Sequence, residues 1–503
     1  MSLQKAFLEK ARIFAEKTME KCKNKCKKLL IFLWICVIIK LTLRKEVQRM
    51  LYRKIYKQIE DFYNNESNKA LMITGARQVG KSFIIEEFCK SHFKSYIKLD
   101  FIENPDHIEL FSDAKSDEDI ILRLSALFGD KMIPGETVIF FDEVQECKAL
   151  ITQIKYLVQE GSYKYILSGS LLGTVLKDIV SAPVGYLDIR QMYPLDFEEF
   201  AAANGVGEKV IDSLRKSFEN KTAVDTFIHE RMLALFELYL IVGGMPAAVS
   251  TYLETKNLRR VADEQNAVIS LYKQDISKYD EKDKLYLNDI FDLIPSELNS
   301  KNKRFILKNL NEHSRFDKLY GSFLWLKNAG VALPANVVDE PKVPLLLSKS
   351  QNLFKLFSND VGLLAAQYGS EIQLSILRHE TNVNFGAIYE NAAAQELMAH
   401  GFPIYYYNSK KLGELDFVIE QNASVLPIEI KSGKDYYRHN AINNVLSSNE
   451  YNIAEGYVFC NGNVEVKEKI TYYPIYMLMF VIKKELPEEM IFESDFSDLN
   501  DRV

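Results

Sequence analysis

The stretch that most constrains this chain runs from Lys69 to Phe88 and reads KALMITGARQVGKSFIIEEF. Its centre, Gly75 to Ser82, fits the phosphate-binding loop pattern G-x-x-x-x-G-K-[ST]. The apolar run Ala70 to Ile73 before it reads as a buried strand. Phe83, Ile84, Glu86, Glu87 and Phe88 after it read as an amphipathic helix. Strand, glycine loop and helix in this order leave little room for a chance match. Gly75 and Gly80 let the backbone curl, so that the N–H groups of Gly75, Ala76, Arg77, Gln78, Val79 and Gly80 face a phosphate chain. The helix N-terminus adds its dipole. Lys81 is placed to reach the outer phosphates and Ser82 to hold Mg²⁺.

A second motif follows at Thr137 to Gln145, TVIFFDEVQ, an apolar strand ending in paired acids. At the strand's C-terminal end Asp142 is placed to meet magnesium, and Glu143 to polarise an attacking water as a base. A third strand, Tyr163 to Leu167, ends in Ser168-Gly169-Ser170, where a small polar residue, Ser170, can sense a terminal phosphate. Together the three pieces resemble the AAA-type ATPases that carry a catalytic Glu beside the magnesium Asp. The resemblance implies ATP and Mg²⁺ as ligands. It also implies a parallel sheet with the P-loop strand flanked by the strands of Asp142 and Ser168, and nucleotide at the carboxyl edge of the strands.

At 503 residues the chain has room for about three domains of roughly 150 residues. Its net charge of −6 gives no global pull towards nucleic acid. The balance is uneven: residues 1–49 hold 13 Lys and Arg against 4 Glu, a net of +9, which leaves −15 for the remainder. Nucleic-acid contact therefore has to come from local basic patches. The six cysteines form no ligand or disulfide pattern, Cys22 and Cys26 lacking a second ligand pair, so a reducing cytoplasm is the expected location.

Residues 1–49 pair a basic, helix-prone lead with the apolar run Leu29 to Ile39, which resumes after Lys40 as far as Leu43. The run is short for a spanning helix, which needs about 20 apolar residues, and no signal-peptide cleavage pattern follows. Three readings stay open: a weak membrane anchor through 29–43, a helix docked on the body or on a partner, or a non-native extension. The last is preferred, because Met50 opens MLYRKIYKQIEDF like a natural start.

The expected ATPase domain is 50–200. Leu51 to Tyr63 has helical spacing and is expected beside the nucleotide pocket, and Tyr96 to Phe101 is another strand. Asn104 to Asp119 reads as an acidic loop and Ile120 to Phe128 as a helix. Gly185 to Phe200, GYLDIRQMYPLDFEEF, resembles a strand followed by Pro-x-x-Phe-Glu-Glu-Phe in one large group of prokaryotic AAA-domain ATPases that end in a domain of unknown function. That group often has an Arg near Ala182 to Gly185; here the nearest is Arg190, best read as a surface ion pair, so no arginine finger is assigned. Residues 201–285 read as a helical lid containing the Gly243-Gly244 turn, taken as a close helix contact. Residues 286–375 suggest a winged helix, with helices at Ile306 to Leu310 and Phe316 to Lys327. Val331 to Leu333 and Leu345 to Leu347 flank its wing, and Lys301, Lys303, Arg304 and Lys308 are available to phosphate.

Residues 376–486 carry a second constellation. Glu390 lies on the amphipathic helix Phe385 to Leu397. Asp416 opens the strand LDFVI, and Glu429 and Lys431 share one side of the strand LPIEIK. Glu, Asp and Glu-x-Lys in this order resemble the PD-(D/E)xK nucleases. That resemblance implies Mg²⁺ or Mn²⁺ on Asp416, Glu429 and Glu390, with Lys431 stabilising the attacking water or phosphate charge. Lys434 and Arg438 follow as candidate backbone contacts. Residues 487–503 read as an acidic tail.

The expected fold is α/β: an AAA-type P-loop parallel sheet, a helical lid and winged helix, and a small PD-(D/E)xK-like α/β domain. The expected function is Mg²⁺-dependent ATP binding and hydrolysis acting on DNA through the nuclease-like domain. The alternative is a nucleotide-gated binding module without nuclease activity. No small-molecule substrate other than ATP is indicated, and the oligomeric state is open.

Overall fold

Two sheets, both fed by buried apolar strands, frame the molecule. The computed structural model describes residues 51–64, 67–114, 116–170, 185–277, 281–300, 303–310, 316–378 and 385–484. The N-terminal extension, the acidic tail, Lys301 and the segment Ala182 to Val184 lie outside these. Among the described residues no helix is long and apolar enough to cross a membrane.

The first sheet is parallel, in the order β2-β3-β4-β1-β5. Its strands are β1 (Ala70–Thr74), β2 (Ser95–Asp100), β3 (Thr137–Asp142), β4 (Lys164–Gly169) and β5 (Leu187–Gln191). β3 is buried at all six positions, as expected of a parallel strand covered by helices on both faces. Helices α1 (Lys54–Asn64), α2 (Lys81–His92), α3 (Asp117–Phe128) and α4 (Lys148–Glu160) accompany it. Ser116 caps α3 by accepting from the Asp119 N–H at 3.2 Å. Leu99, Phe101, Phe111, Phe141, Ile154 and Leu167 lie in the core on one side.

The strand order corrects one expectation. β1 pairs with β4 and β5, so the P-loop strand lies beside the Ser168 strand but not beside the Asp142 strand. β4 stands between them, paired with β3. The crossover through α4 lays β4 into that gap, and Asp142 reaches the P-loop from two strands away.

The next segment is helical: α5 (Phe197–Ala203), α6 (Glu208–Glu219), α7 (Thr226–Val242), α8 (Pro246–Thr255), α9 (Leu258–Ser277) and α10 (Glu281–Asn299). Asp196 and Glu199 form a full capping box on α5, and Pro246 occupies the first turn of α8. The Gly243-Gly244 turn is a three-way backbone crossing. Gly244 O accepts from Leu195 N at 2.7 Å, and Gly244 N donates to Asp360 Oδ2 at 2.6 Å. A Cβ on Gly243 would lie 2.8 Å from Gly362 Cα.

The second sheet is mixed, in the order β12-β13-β11-β10-β9-β8-β6-β7. Its strands are β6 (Ala332–Val338), β7 (Lys349–Ser358), β8 (Tyr405–Ser409), β9 (Gly413–Gln421), β10 (Ser424–Ile430), β11 (Gly456–Cys460), β12 (Glu465–Lys467) and β13 (Ile470–Pro474). Its helices include α11 (Phe316–Asn328), α12 (Val361–Tyr368), α13 (Ser370–Leu377), α14 (Phe385–Ala399) and α15 (Asn440–Leu446). The hairpin expected as a wing is β6–β7, and it is built into this sheet, because β6 pairs in parallel with β8. This pairing covers the backbone edge of β6, and Phe354 of β7 packs on Phe316 and Phe323 of α11. Ile306 to Leu310, expected as a helix, shortens to a single 3₁₀ turn, Leu307–Asn309.

α14 differs from its expectation as well. It is buried on all sides from Ala387 to Leu397 rather than amphipathic. Its polar residues are used internally. Asn391 Oδ1 accepts from Ser358 N at 2.7 Å, Gln395 Oε1 from Val361 N at 2.9 Å, and Glu396 Oε1 from Phe197 N at 2.6 Å. One helix thus fastens the end of β7, the start of α12 and the start of α5.

Candidate functional site

The expected residues gather in two places. In the first, Gly75 to Gly80 loop from β1 into α2. Gly75 has φ 147, and a Cβ there would overlap the carbonyl oxygen of Met192, so only glycine fits. Gln78, at φ 66, and Glu143, at φ 55, hold left-handed backbone that side chains rarely adopt. Such strain persists where the surroundings enforce it. Arg53, before α1, is the brace: its guanidinium donates to Val79 O at 2.8 Å and Tyr193 O at 2.6 Å, and pairs with Glu199 at 3.1 Å.

Lys81 is 6 % exposed and folds back on the loop, donating to Gly75 O at 3.0 Å and Ala76 O at 2.9 Å. Burial lowers its pKa to about 8, against the opposing pull of Glu143 and Asp142. Ser82 Oγ donates to Asp142 Oδ1 at 2.9 Å. Ser168 donates to the same oxygen. These hydroxyl and carboxylate oxygens are the hard donors that Mg²⁺ takes, so the residues fit that ion. Glu143 Oε2 is held by Gln145 Nε2 at 2.6 Å, which fixes its direction beside Asp142.

Ser170, expected as the sensor, is 3 % exposed, and its hydroxyl makes no hydrogen bond. It faces a small cavity shared with Arg77, Tyr272, Asp275, Trp325, Ala329 and Val331. Ser168, two residues earlier, is the serine that reaches Asp142. The Arg77 side chain pairs with Asp275 of α9 at 2.9 Å. Arg190 pairs with Asp188 of its own strand at 3.2 Å and donates to Gln58 O at 2.9 Å.

Sequence reasoning missed Lys98. From β2 its ammonium reaches Asp142 Oδ2 at 3.1 Å, Glu86 at 3.0 Å and Asp100 at 3.4 Å. Burial works against its charge, but Glu86 and Asp142 outweigh burial and raise its pKa above lysine's usual range. The signal was present, since Lys98 and Asp100 alternate on the strand that pairs with β3 in register, Asp100 opposite Asp142.

The second gathering is at the centre of the mixed sheet. Glu390 on α14 and Glu429 on β10 are buried, Asp416 on β9 is half-buried, and their charges act on one another. Burial and Asp416 raise the pKa of Glu390 and Glu429. Burial also works to raise that of Asp416, but Lys355, Lys303 and Lys431 outweigh it and lower the value. Lys431 Nζ donates to Glu429 Oε2 at 2.8 Å, and Ile430 N donates to Asp416 Oδ2 at 2.9 Å. Lys303 pairs with Glu390. Lys355, fully buried on β7, pairs with Glu414 at 2.9 Å and faces Glu390 at 3.8 Å. Glu390 and Glu429 are each paired with a lysine, while Asp416 is held by the Ile430 N–H with the charges of Lys355, Lys303 and Lys431 acting on it. Among the described residues no three His, Cys, Asp or Glu side chains converge to hold a metal.

Residues 67–201 match the family model described as an AAA domain. With the P-loop sheet, this makes the first part of the chain an AAA-type P-loop domain. Two further models, both described as domains of unknown function (DUF8612 and DUF4143), match residues 233–373 and 385–478. An uncharacterized protein of Methanocaldococcus jannaschii is 21 % identical over 360 residues, covering 70 % of this chain and 72 % of that protein. Among solved structures, the Walker-type ATPase of Pyrococcus abyssi is 16 % identical with a TM-score of 0.39, covering 64 % of this chain and 97 % of that one. Cdc6p of Pyrobaculum aerophilum is 12 % identical with a TM-score of 0.25, covering 66 % and 96 %. Structural likenesses this low place no constraint on the present chain.

Proposed function

We propose that this chain is a Mg²⁺-dependent ATPase whose nucleotide cycle switches the disposition of its C-terminal domain. The observation that carries the reading is the meeting of Ser82 and Asp142 at 2.9 Å beneath a loop that holds the Lys81 ammonium on its own carbonyls. A phosphate chain entering the loop draws Lys81 off Gly75 O and Ala76 O, since phosphate oxygens are the stronger acceptors. Ser82 and Asp142 would hold Mg²⁺, which supplies neutralising charge to the phosphates when bound. Glu143, oriented by Gln145, accepts a proton from the attacking water. The test is hydrolysis and binding measured separately. Glu143→Gln is expected to keep ATP binding while turnover falls by roughly 10²–10⁴-fold, and Lys81→Ala to lose binding. Parental turnover in Glu143→Gln would remove the base from the reading.

DNA is the partner to test first, because Lys431, Lys434 and Arg438 leave β10 in succession. Cleavage is no part of this proposal, because Glu390, Asp416 and Glu429 lie among lysines that balance their charge. Turnover indifferent to DNA, together with no band shift, would exclude DNA and leave a switch acting on another partner.

A further inference from the structure

The charge cluster of the mixed sheet is assembled from separate parts of the chain. The acids come from α14 and from β9 and β10: Glu390, Glu414, Asp416 and Glu429. The cations come largely from elsewhere. Lys303 and Arg304 precede the 3₁₀ turn Leu307–Asn309, Lys355 is on β7, and only Lys431 follows β10 directly. Four carboxylates meet four cations. Lys355 has no exposure at all, and a lysine in such a place stays charged only if its acids outweigh desolvation. Burial lowers its pKa, but Glu390, Asp416 and Glu414 raise it above the usual range. Its ammonium also lies 5.0 Å from the ring centre of Tyr406, with the Arg304 guanidinium at 5.9 Å.

We infer that these lysines take the place of a divalent cation, and that the cluster is a metal-independent lock fastening the β6–β7 hairpin and the Lys303–Arg304 segment to the sheet. Three of the four carboxylates are each held by an ammonium, Glu429 by Lys431 at 2.8 Å, Glu414 by Lys355 at 2.9 Å and Glu390 by Lys303, while Asp416 accepts from Ile430 N at 2.9 Å. A metal would need them turned inward at roughly 2.0–2.6 Å from one point. It would also add two positive charges to a buried site already in balance. Glu390 Oε2 accepts no hydrogen bond and looks at Lys355 Nζ across 3.8 Å. Removing that ammonium takes away the cation whose charge acts on Glu390, Asp416 and Glu414 together, and leaves them free to turn towards an ion. The inference does not depend on ATP turnover.

The experiment uses the full chain with Asp142→Asn, so that the P-loop site does not take the probe, and Mn²⁺ alone, followed by its free-ion resonance signal and by thermal unfolding. With the lysines intact, no Mn²⁺ is bound at millimolar concentration and the melting temperature ignores it. Adding Lys355→Met lowers the melting temperature and creates one Mn²⁺ site that restores it, and this site disappears again with Asp416→Asn. If Lys355→Met fails to fold, Lys431→Met, at the more open side of the cluster, is expected to show the same gain. The inference is overturned if the lysine-intact chain binds Mn²⁺ in a way that Asp416→Asn or Glu429→Gln abolishes. It is equally overturned if a folded lysine variant melts like the parent and gains no Mn²⁺.

Discussion

Lys98→Met tests whether an internal ammonium competes with magnesium at Asp142. Asp142 is 2 % exposed; its Oδ1 accepts from Ser82 and Ser168 and its Oδ2 faces Lys98 at 3.1 Å. Deleting one partner of a buried pair costs about 3–5 kcal/mol. The Lys98 side chain is 25 % exposed, so water recovers part of that; about 2 kcal/mol of lost stability is the appropriate scale. The same energy returns when a cation binds, because the incoming ion no longer shares Asp142 with an ammonium. At about 1.4 kcal/mol per tenfold, that is roughly a 25-fold fall in the Mg²⁺ concentration needed for half-maximal ATP turnover. The assay is a Mg²⁺ titration of turnover beside melting curves with and without Mg²⁺ and ATP. The variant is expected to melt lower alone and to regain most of the difference with ligand, and Lys98→Arg to stay close to the parent. An unchanged or higher Mg²⁺ requirement, with the lower melting temperature, would refute competition and leave Lys98 a support of Asp142 only.

Lys81 sets a pH dependence. Its folded pKa of about 8 lies below the unfolded value of about 10.4. Between these values the unfolded chain holds a proton that the fold has released, so stability of the nucleotide-free chain rises with pH across that window. ATP affinity moves the other way, weakening by up to about tenfold per unit above pH 8 as the ammonium discharges; a dissociation constant flat to pH 9.5 would count against the buried geometry. Gly244→Ala places a Cβ 2.6 Å from Leu195 N and 2.8 Å from Leu195 C, both backbone atoms, and is expected to cost about 3 kcal/mol or prevent folding. Gly321, helical with open space around it, provides the opposite sign: Gly321→Ala is expected to stabilise by about 0.5–1 kcal/mol. Both are read by denaturant unfolding, and equal effects would undo the packing argument.

Local chemistry made some of this legible. The P-loop, the paired acids and the serine strand each carry a pattern of a few adjacent residues, and strand and helix fall where the apolar runs put them. Glu429 and Lys431 could be placed on one side of β10 from the period of two alone. What escaped was decided by pairing between distant segments. The position of β4 between β1 and β3 follows from how a crossover docks. The β6–β7 hairpin looked like a wing because nothing in its own residues says that β6 will pair with β8. Lys98, Lys303 and Lys355 are ordinary surface residues by type. Each finds its acids only through a neighbouring strand or a remote loop, Lys355 reaching Glu414 at 2.9 Å and Glu390 at 3.8 Å from β7.

The hairpin also joins the two centres. At its open end Gly330 presses on the P-loop, where a Cβ would come 3.0 Å from Ala76 N. Just beyond β7, Asn359 Nδ2 donates to Tyr272 OH at 3.1 Å, and Tyr272 OH donates to Arg77 O at 3.3 Å. Lys355 lies four residues before Asn359 on the same chain segment, about 13 Å of extended backbone. A strand paired along its length is stiff, so it cannot absorb a shift at one end by bending freely within that distance. If phosphate entry moves Ala76 and Arg77, the hairpin either loses its contacts with the loop or carries the movement to Lys355 and its acids. The first outcome gives up packing and two hydrogen bonds. The second disturbs a buried ion pair whose disruption is costly. If the proposed nucleotide cycle operates, the nucleotide loop and the charge cluster bear on one hairpin, and the contact that yields would decide whether the C-terminal sheet moves.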